Sequence, residues 1–390
     1  MRVLTFSTLF PNHERPNFGV FVENRLRHLV ATGGIESTVL APVAYFPSRS
    51  ERFGVWAQQA RVARRETRHG LVVHHPRWLA IPKIGTSVSP LTLYWASLRA
   101  LRKLVAGGLR FDLIDAHYLY PDGVAAVWLG RAFNCPVVIT ARGSDVTEFP
   151  DLAIPRRYIA GAIAGADALI SVSGGLRDRL IELGAPPEKV TVLRNGIDTD
   201  LFHPVDRPAA RAALGLTRPT LISVGGLIPR KRNHLTIDAM RLLDNVDLII
   251  VGEGPQHGAL QGQIDRLGLG DRVRLLGPRP HGELALYYGA ADAMVLASSR
   301  EGWANVLLEA MACGTPVVAS RIPGNPEVVR AAEAGLIVDD NTAEGIAASV
   351  RALFANPPDR AATRAYAEKF GWAETSAGQL ALFRRLLGHT

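Results

Sequence analysis

Short runs rich in Val, Ile and Leu recur along this chain, each separated from the next by a segment of helical length. In the first half they read "RVLTFSTL", "STVLAPV", "FDLIDAH", "PVVIT", "ALISVS" and "KVTVLRN". The second half repeats the rhythm with "TLISVGG", "VDLIIVGEG", "RVRLLG", "DAMVLAS", "TPVVAS" and "AGLIVDD". Runs of this length, spaced widely enough for a crossover helix, are expected as strands buried on both faces in β-α-β units. The fold class expected is α/β, with two doubly wound parallel sheets. A chain of 390 residues, 47% of them hydrophobic, can fill two such cores. The break between them is expected within residues 195–204, "NGIDTDLFHP", where Asn-Gly and Pro punctuate a stretch with neither strand nor helix period. This divides the chain into a first domain over residues 1–195, a second over 196–370 and a terminal helix over 371–390. In that helix Trp372, Leu380, Leu382, Phe383 and Leu386 are available for packing.

The same composition excludes several classes. No run of about 18 uncharged apolar residues occurs, so no membrane span is expected. The apolar start at Met1 ends at Pro11, too early for a signal-peptide core. Cys135 and Cys313 are the only cysteines, and no His cluster has metal-ligand spacing, so neither a disulfide framework nor a metal site is expected. A reducing cytoplasm fits. The net charge of +8 is uneven, with 24 Lys/Arg against 17 Asp/Glu in residues 1–200 and 20 against 19 in residues 201–390. It is densest in residues 49–110, where 12 basic residues face only Glu51 and Glu66. There "WAQQARVARRETRH" sets Arg61, Arg64, Arg65 and Arg68 around Trp56 and Val62, read either as a solvated helix face or as a surface for anionic lipid or a phosphate-bearing acceptor. A pI near 9.8 alone does not make a nucleic-acid binder. Zinc-finger spacing, RNA-binding aromatics and a basic stripe outside the first domain are all missing, so no nucleic-acid partner is expected.

In open α/β sheets ligands collect beyond the carboxyl ends of the strands, and the polar and glycine-rich segments here fall at such points. They are residues 17–19 (with Gly19), 142–145, 225–232, 252–254 and 298–305. With two such sheets facing each other, the cleft between them is the expected active site. In "SREGWANVLLEAMACGTPVVAS" two glutamates, Glu301 and Glu309, stand eight residues apart, about 12 Å of rise on a helix, too far to grip one atom. Glu301 precedes Gly302 and is expected in the loop, with a helix starting near Ala304 and burying Leu307, Leu308 and Met311. Glu309 lies inside that apolar segment and must be paired or hydrogen-bonded. It is either a salt-bridged or capping carboxylate or an acceptor of sugar or ribose hydroxyls, while amides at the glycine-led N-terminus suit a phosphate.

These residues resemble a known family. "EGWANVLLEAMACGTPVVA" resembles the E-x7-E signature of family 4 retaining glycosyltransferases, which have the GT-B fold of two facing Rossmann-like domains with a terminal helix crossing back to the first. "VLRNGIDTDLFHP" resembles the family's interdomain linker and "VGGLIPRKR" its phosphate-binding loop. "VGEGPQHGAL" and "VRLLGPRPHGELALYYGAADAMVLAS" resemble its donor domain. In the first half "STLFPNHERPNFGVFV", "AHYLYPDG" and "TARGSD" are most similar to the subgroup around teichuronic-acid and other cell-surface polysaccharide transferases. The resemblance implies a nucleotide diphosphate sugar, UDP- or GDP-linked, as donor, a glycan or lipid-linked acceptor, and no cofactor or metal. It also implies an enzyme in the cytoplasm, peripheral to the inner face of the plasma membrane if the basic surface meets lipid. Glu301 would contact the donor sugar and Glu309 the nucleotide ribose, with amides of Gly302, Trp303, Ala304, Asn305 and Val306 at the diphosphate. Gly19, Gly225, Gly226, Gly252, Glu253 and Arg279 complete the expected donor set, with Lys231 and Arg230 neutralising the departing diphosphate.

The pattern also departs from the family. Many members carry Arg where this chain has Gly226, so Arg230 or Arg232 supplies the missing charge or both are simply solvated. Many carry His where this chain has Arg142. His117 and Asp145, with Arg142, are the expected acceptor-side residues, His117 either catalytic or a satisfied core histidine, and Asp145 either an acceptor contact or a helix cap. Three rivals remain weaker. Gly252, Gly254 and Gly258 have the wrong spacing and place for a dinucleotide fingerprint. Asp198-Thr199-Asp200 spells D-x-D in the linker, not at a strand end. An epimerase or hydrolase could share the fold, because fold does not fix chemistry.

Overall fold

A computed structural model describes residues 1–80 and 85–388, and the chain divides into two compact units. One comprises Met1–Arg194 with Ala373–Thr390, the other Asn195–Trp372. In the first unit the strands are β1 (Arg2–Phe6), β2 (Glu36–Leu40), β3 (Val43–Ala44), β4 (Arg65–Arg68), β5 (Leu71–His74), β6 (Arg77–Trp78), β7 (Leu113–His117), β8 (Val137–Ala141), β9 (Ala168–Ser171) and β10 (Val190–Val192). The main sheet has the order β10-β9-β8-β7-β1-β2-β5-β4 and is parallel except for the β4–β5 pair, while β3 and β6 form a small parallel pair. The second unit carries β11 (Thr220–Val224), β12 (Asp247–Val251), β13 (Val273–Gly277), β14 (Ala293–Leu296), β15 (Val317–Ser320) and β16 (Gly335–Val338), in the all-parallel order β13-β12-β11-β14-β15-β16. The expected class, α/β with a parallel sheet in each of two domains, is the one observed.

Every run picked out by its Val, Ile and Leu content contains a strand, because a strand covered by helices on both faces can be apolar throughout. β7 and β8 are buried at every position, as are β11, β14 and β15. In the first unit Val3, Leu113, Val138 and Ile170 pack with Leu382 and Phe383, so the terminal helix Trp372–Leu386 buries its apolar stripe against that sheet. The second core gathers Leu221, Leu248, Ile250, Val295 and Val318 beneath Ile237, Leu260 and Val350.

The basic run folds differently from a single helical face. The helix Val55–Arg61 ends at Val62, which is buried, and the chain turns into the edge strand β4. The four arginines are therefore split. Arg61 pairs with Glu14 at 2.8 Å and Arg68 with the buried Glu23 at 2.7 Å. Only Arg64 and Arg65 of the four are exposed.

Candidate functional site

In the second sheet the chain winds outward in one direction through β12 and β13 and in the other through β14 to β16, so the topological switch lies between β11 and β14. Loops leaving the carboxyl ends of these two strands diverge around a crevice, the usual ligand position in such sheets. The β11 loop carries Arg230 and Lys231 in a short 3₁₀ turn, Pro229–Lys231. The β14 loop carries Ser298 and Glu301. The two loops are tied by the main chain, with Ser299 N donating to Arg230 O at 2.8 Å.

Glu301 is the centre of this junction. Its Oε1 accepts from Lys231 Nζ at 2.6 Å and from Ser298 Oγ at 2.7 Å, and its Oε2 from Arg230 Nη1 at 3.1 Å. Burial would push the carboxyl up, but the Lys231 and Arg230 charges, with the Lys231 and Ser298 hydrogen bonds, outweigh it and hold Glu301 below the usual carboxylate range. It is an anion at neutral pH. Two cations against one carboxylate leave one positive charge in excess, and Arg230 and Lys231 remain 31% and 14% exposed. The Lys231 stem lies across Gly225, where an added Cβ would stand 3.2 Å from Lys231 Cε.

The β11 and β12 loops run side by side. Gly225 N donates to Val251 O at 3.0 Å and Leu227 N to Glu253 O at 2.8 Å. This close approach requires Gly252, whose φ is 150° and whose Cβ would fall 1.9 Å from Gly225 O. The glycine pattern thus serves loop packing. Gly226 is different, being exposed with nothing closer than 3.8 Å to an added Cβ. The Glu253 side chain is exposed. Arg279 folds onto its own segment, donating from Nε to Tyr287 Oη at 2.7 Å and from Nη1 to Pro278 O at 3.1 Å.

Glu309 lies in the helix Asn305–Ala312 and is buried. Its Oε2 accepts from Tyr288 Oη at 2.9 Å, and its Oε1 meets His281 Nε2 at 3.2 Å. Burial opposes a charge on His281, but the Glu309 hydrogen bond and charge, with Asp198, raise its pKa above 6.5. Burial, and then Glu309, push the Tyr288 phenol well above its usual range. Phe202 packs edge-on against both rings, 5.0 Å from His281 and 6.1 Å from Tyr288. Neither His281 nor Tyr288 stood out in the sequence, although a carboxylate inside an apolar helix demands such partners. At the helix start Gly302, Trp303 and Ala304 are buried, while Asn305 and Val306 are half-buried. The Trp303 indole N–H donates to Asn195 O at 3.1 Å, and Asn195 Nδ2 donates to Asn305 Oδ1 at 3.3 Å. The D-x-D of residues 198–200 is a local turn, in which Asp198 Oδ1 accepts from Asp200 N at 3.1 Å and Leu201 N at 3.0 Å.

The first sheet has its own switch between β1 and β7. Gly19, with φ 71°, starts the helix Val20–Ala31, and an added Cβ would meet Leu9 O at 2.5 Å. His117 ends β7 fully buried. Its Nδ1 accepts from Arg142 Nη2 at 2.6 Å, and its Nε2 lies 3.3 Å from Asp115 Oδ2. Burial, only partly offset by Asp115, lowers its pKa to about 4, so the imidazole is neutral. Burial likewise lowers Arg142 to about 9, and its guanidinium lies 5.3 Å from the Phe21 ring centroid. Asp145 is fully buried and accepts the N–H groups of Leu119 at 2.7 Å, Arg142 at 3.1 Å and Gly143 at 2.6 Å. That geometry gives Asp145 a loop-closing task. Sequence reading missed Asp122, which receives Thr8 N and, at 3.0 Å, Thr8 Oγ1, and whose pKa burial lifts to about 7. Among the described residues no group of three or more His, Cys, Asp or Glu side chains is placed to hold a metal ion.

Comparison with known proteins agrees with this architecture. Residues 19–201 match the model described as Glycosyltransferase Family 4, and residues 206–370 match that described as Glycosyl transferases group 1. D-inositol 3-phosphate glycosyltransferase 1 of Catenulispora acidiphila is 34% identical over 318 residues, 73% of this chain and 76% of that protein. The chain belongs to the family 4 glycosyltransferases. A second family member, D-inositol 3-phosphate glycosyltransferase of Mycobacterium bovis, is 34% identical over 303 residues, 71% of this chain and 62% of its own. These names do not support the teichuronic-acid subgroup. Among solved structures, sucrose-phosphate synthase from Thermosynechococcus elongatus aligns over 100% of both chains with a TM-score of 0.81 at 22% identity. Anabaena HepE in complex with UDP-glucose aligns over 98% of this chain and 99% of its own, with a TM-score of 0.75 at 21% identity. At these identities the likeness establishes the GT-B fold.

Proposed function

We propose that this glycosyltransferase moves a sugar from a nucleotide diphosphate sugar to an acceptor hydroxyl with retention of anomeric configuration and without a metal ion. The observation that carries the reading is Glu301, held ionised by Lys231, Arg230 and Ser298 at the switch point of the second sheet. The excess positive charge there is suited to a diphosphate, and the carboxylate to sugar hydroxyls. In this reading residues 196–370 bind the donor and residues 1–195 the acceptor, with residues 371–390 packed on the first domain. Glu309, with His281 and Tyr288 fixing its oxygens, takes the ribose hydroxyls.

The acceptor oxygen attacks the anomeric carbon from the face of the leaving group. As that bond forms, the carbon–oxygen bond to the diphosphate breaks, and the acceptor proton passes to a diphosphate oxygen. Lys231 and Arg230 stabilise the charge that develops on the leaving group. His117 is engaged through both ring nitrogens, so its task is to position Arg142 toward the acceptor. The relatives' names favour a phosphorylated cyclitol as acceptor over a cell-surface polysaccharide precursor, and Arg142 suits a phosphate. Among the described residues no helix is long and apolar enough to cross a membrane, and the basic excess of the first unit supports peripheral contact with an anionic membrane face from the cytoplasm.

Thermal unfolding titrated with UDP- and GDP-sugars tests the donor. A ligand present at 100 times its Kd stabilises by about 2.7 kcal/mol. UDP-glucose is the expected stabiliser, because HepE is seen with it. If neither nucleotide series shifts the transition, the donor assignment fails. Product NMR showing inversion, or a free sugar as sole product, would overturn retaining transfer. Loss of activity in EDTA restored by magnesium would overturn metal independence.

A further inference from the structure

On the first unit, apart from the residues assigned above, lies a cavity of about 400 Å³ between the β4–β5 hairpin and the helix Gly85–Ala106. Arg64, Arg65, Arg77, Arg99 and Lys103 line it, together with His74. The fold brings these cations together by separate routes. Arg65 stands opposite His74 in the antiparallel ladder, and Arg64 O accepts from His75 N at 2.9 Å. Arg99 and Lys103 are four apart on one helix face, where the small Ala96 and Ala100 leave room between them. Arg77 donates from Nη2 to Val62 O, while its Nη1 is buried without a hydrogen-bond partner among the described residues.

Among the described residues no carboxylate lines this cavity. Glu66, next to Arg65, stays out of the lining and is engaged by His75, itself a lining residue, at 2.8 Å and by His13 at 3.4 Å. Burial, then Arg64 and Arg49, lower the Arg77 pKa, and burial, then Arg65 and His75, lower that of His74. Gathering like charges around one cavity costs free energy, and an anion with several acceptor oxygens offsets that cost.

We infer that this cavity is a second anion site of the enzyme, binding a ligand with a phosphate or diphosphate group through the Arg65, Arg99 and Lys103 side chains, with Arg64 and Arg77 adding positive charge to its wall. Arginines fit phosphate bidentately, and the helix lysine adds a point charge. The site is distinct from Lys231 and Arg230, which lie in the other unit.

The test is isothermal titration of inorganic pyrophosphate into the wild-type enzyme, Lys231→Ala, Arg65→Gln/Arg99→Gln and the triple variant. Arg65 and Arg99 are exposed, so the double variant should unfold as the wild type does, and Arg65→Lys/Arg99→Lys keeps the charge as a control. In the Lys231→Ala protein pyrophosphate binding persists, and adding the double change weakens it about a hundredfold, about tenfold for each cation lost. The lysine control restores part of the affinity. Unchanged affinity and stoichiometry in the double variant would overturn the site. Sedimentation with phosphatidylcholine vesicles, with and without phosphatidic acid, then identifies the source of the phosphate. Binding to the anionic vesicles that pyrophosphate displaces, and that the double variant loses, places the phosphate on a lipid. Pyrophosphate binding without vesicle binding places it on a soluble ligand.

Discussion

Replacing Lys231 by alanine separates the chemistry of the Glu301 cluster from its contribution to stability. The substitution removes the bond from Nζ to Glu301 Oε1 at 2.6 Å. A hydrogen bond to a charged group is worth about 1.5–3 kcal/mol net. Stripping a buried carboxylate of its only partner would cost about 3–5 kcal/mol. Glu301 instead keeps Ser298 at 2.7 Å and Arg230 at 3.1 Å, so the loss in stability should stay near the lower figure and the unit should fold. Turnover should suffer more, because in the proposed reading the missing charge faces the leaving diphosphate. Loss of one preorganised group acting on developing charge costs about 10²- to 10³-fold. Arg230→Ala should cost less, since Arg230 is more exposed and shares Nη1 with Arg300 O. The stability penalty also has a pH signature. Glu301's depressed pKa contributes stability that is present above its ordinary value of 4.5 and lost as pH falls through the folded value. The difference in unfolding temperature between wild type and Lys231→Ala should therefore be largest near neutrality and shrink in acid. Steady-state transfer from the preferred donor, measured beside thermal unfolding, decides the matter. Near-normal turnover by a folded Lys231→Ala would refute the phosphate-binding role of this loop and turn attention to Arg232 or Arg142.

Three further outcomes follow from the same geometry. Gly252→Ala puts a Cβ 1.9 Å from Gly225 O at a φ of 150°, so it should destabilise the second unit by more than about 3 kcal/mol; an unchanged melting curve would contradict the close approach of the two loops. Gly226→Arg meets nothing closer than 3.8 Å at its Cβ, so the protein should fold normally, and the added cation should tighten nucleotide diphosphate binding by up to about tenfold, read by titration calorimetry. His281, whose pKa is raised above 6.5, contributes stability that is complete below that value and lost as pH rises through the folded pKa; thermal unfolding of the wild type should weaken over that window, and His281→Asn should remove the slope.

The strands of both sheets were legible because parallel strands buried on two faces cannot hide their composition. What escaped was the β5–β4 edge of the first sheet, together with the two-residue strand β6. β4 reads Arg-Glu-Thr-Arg, and half of its positions face solvent, so no apolar run announces it. The preceding helix lent its period to the whole basic stretch, and four arginines that looked like one surface belong to a helix end and an edge strand with two private carboxylates. At the site, Lys231, Arg230 and Glu301 could be grouped because each follows a strand end near the switch point. The partners of Glu309 could not, since His281 and Tyr288 lie 28 and 21 residues away in an apolar, aromatic segment that reads as core. Asp145 shows the converse. A carboxylate after a strand invites a catalytic role, and only the three main-chain N–H groups around it reveal what its charge is for.

The two glutamates of the E-x7-E pattern illustrate how one fold uses like groups for unlike ends. Glu301 sits between loops and is matched by two permanent cations, so its charge is secure across neutral pH. It holds Lys231 and Arg230 in place, where the proposed reading sets them toward a diphosphate. Glu309 sits within a helix and is matched by a phenol and an imidazole, groups that donate hydrogen bonds but carry little or conditional charge. Its oxygens are oriented by Tyr288 Oη and His281 Nε2, and the proposed reading leaves them to the ribose hydroxyls. If donor binding changes as pH rises above 6.5, that dependence should follow His281 and not Glu301. The eight-residue spacing thus places one carboxylate held by cations ahead of the helix start and one held by hydrogen bonds inside the helix.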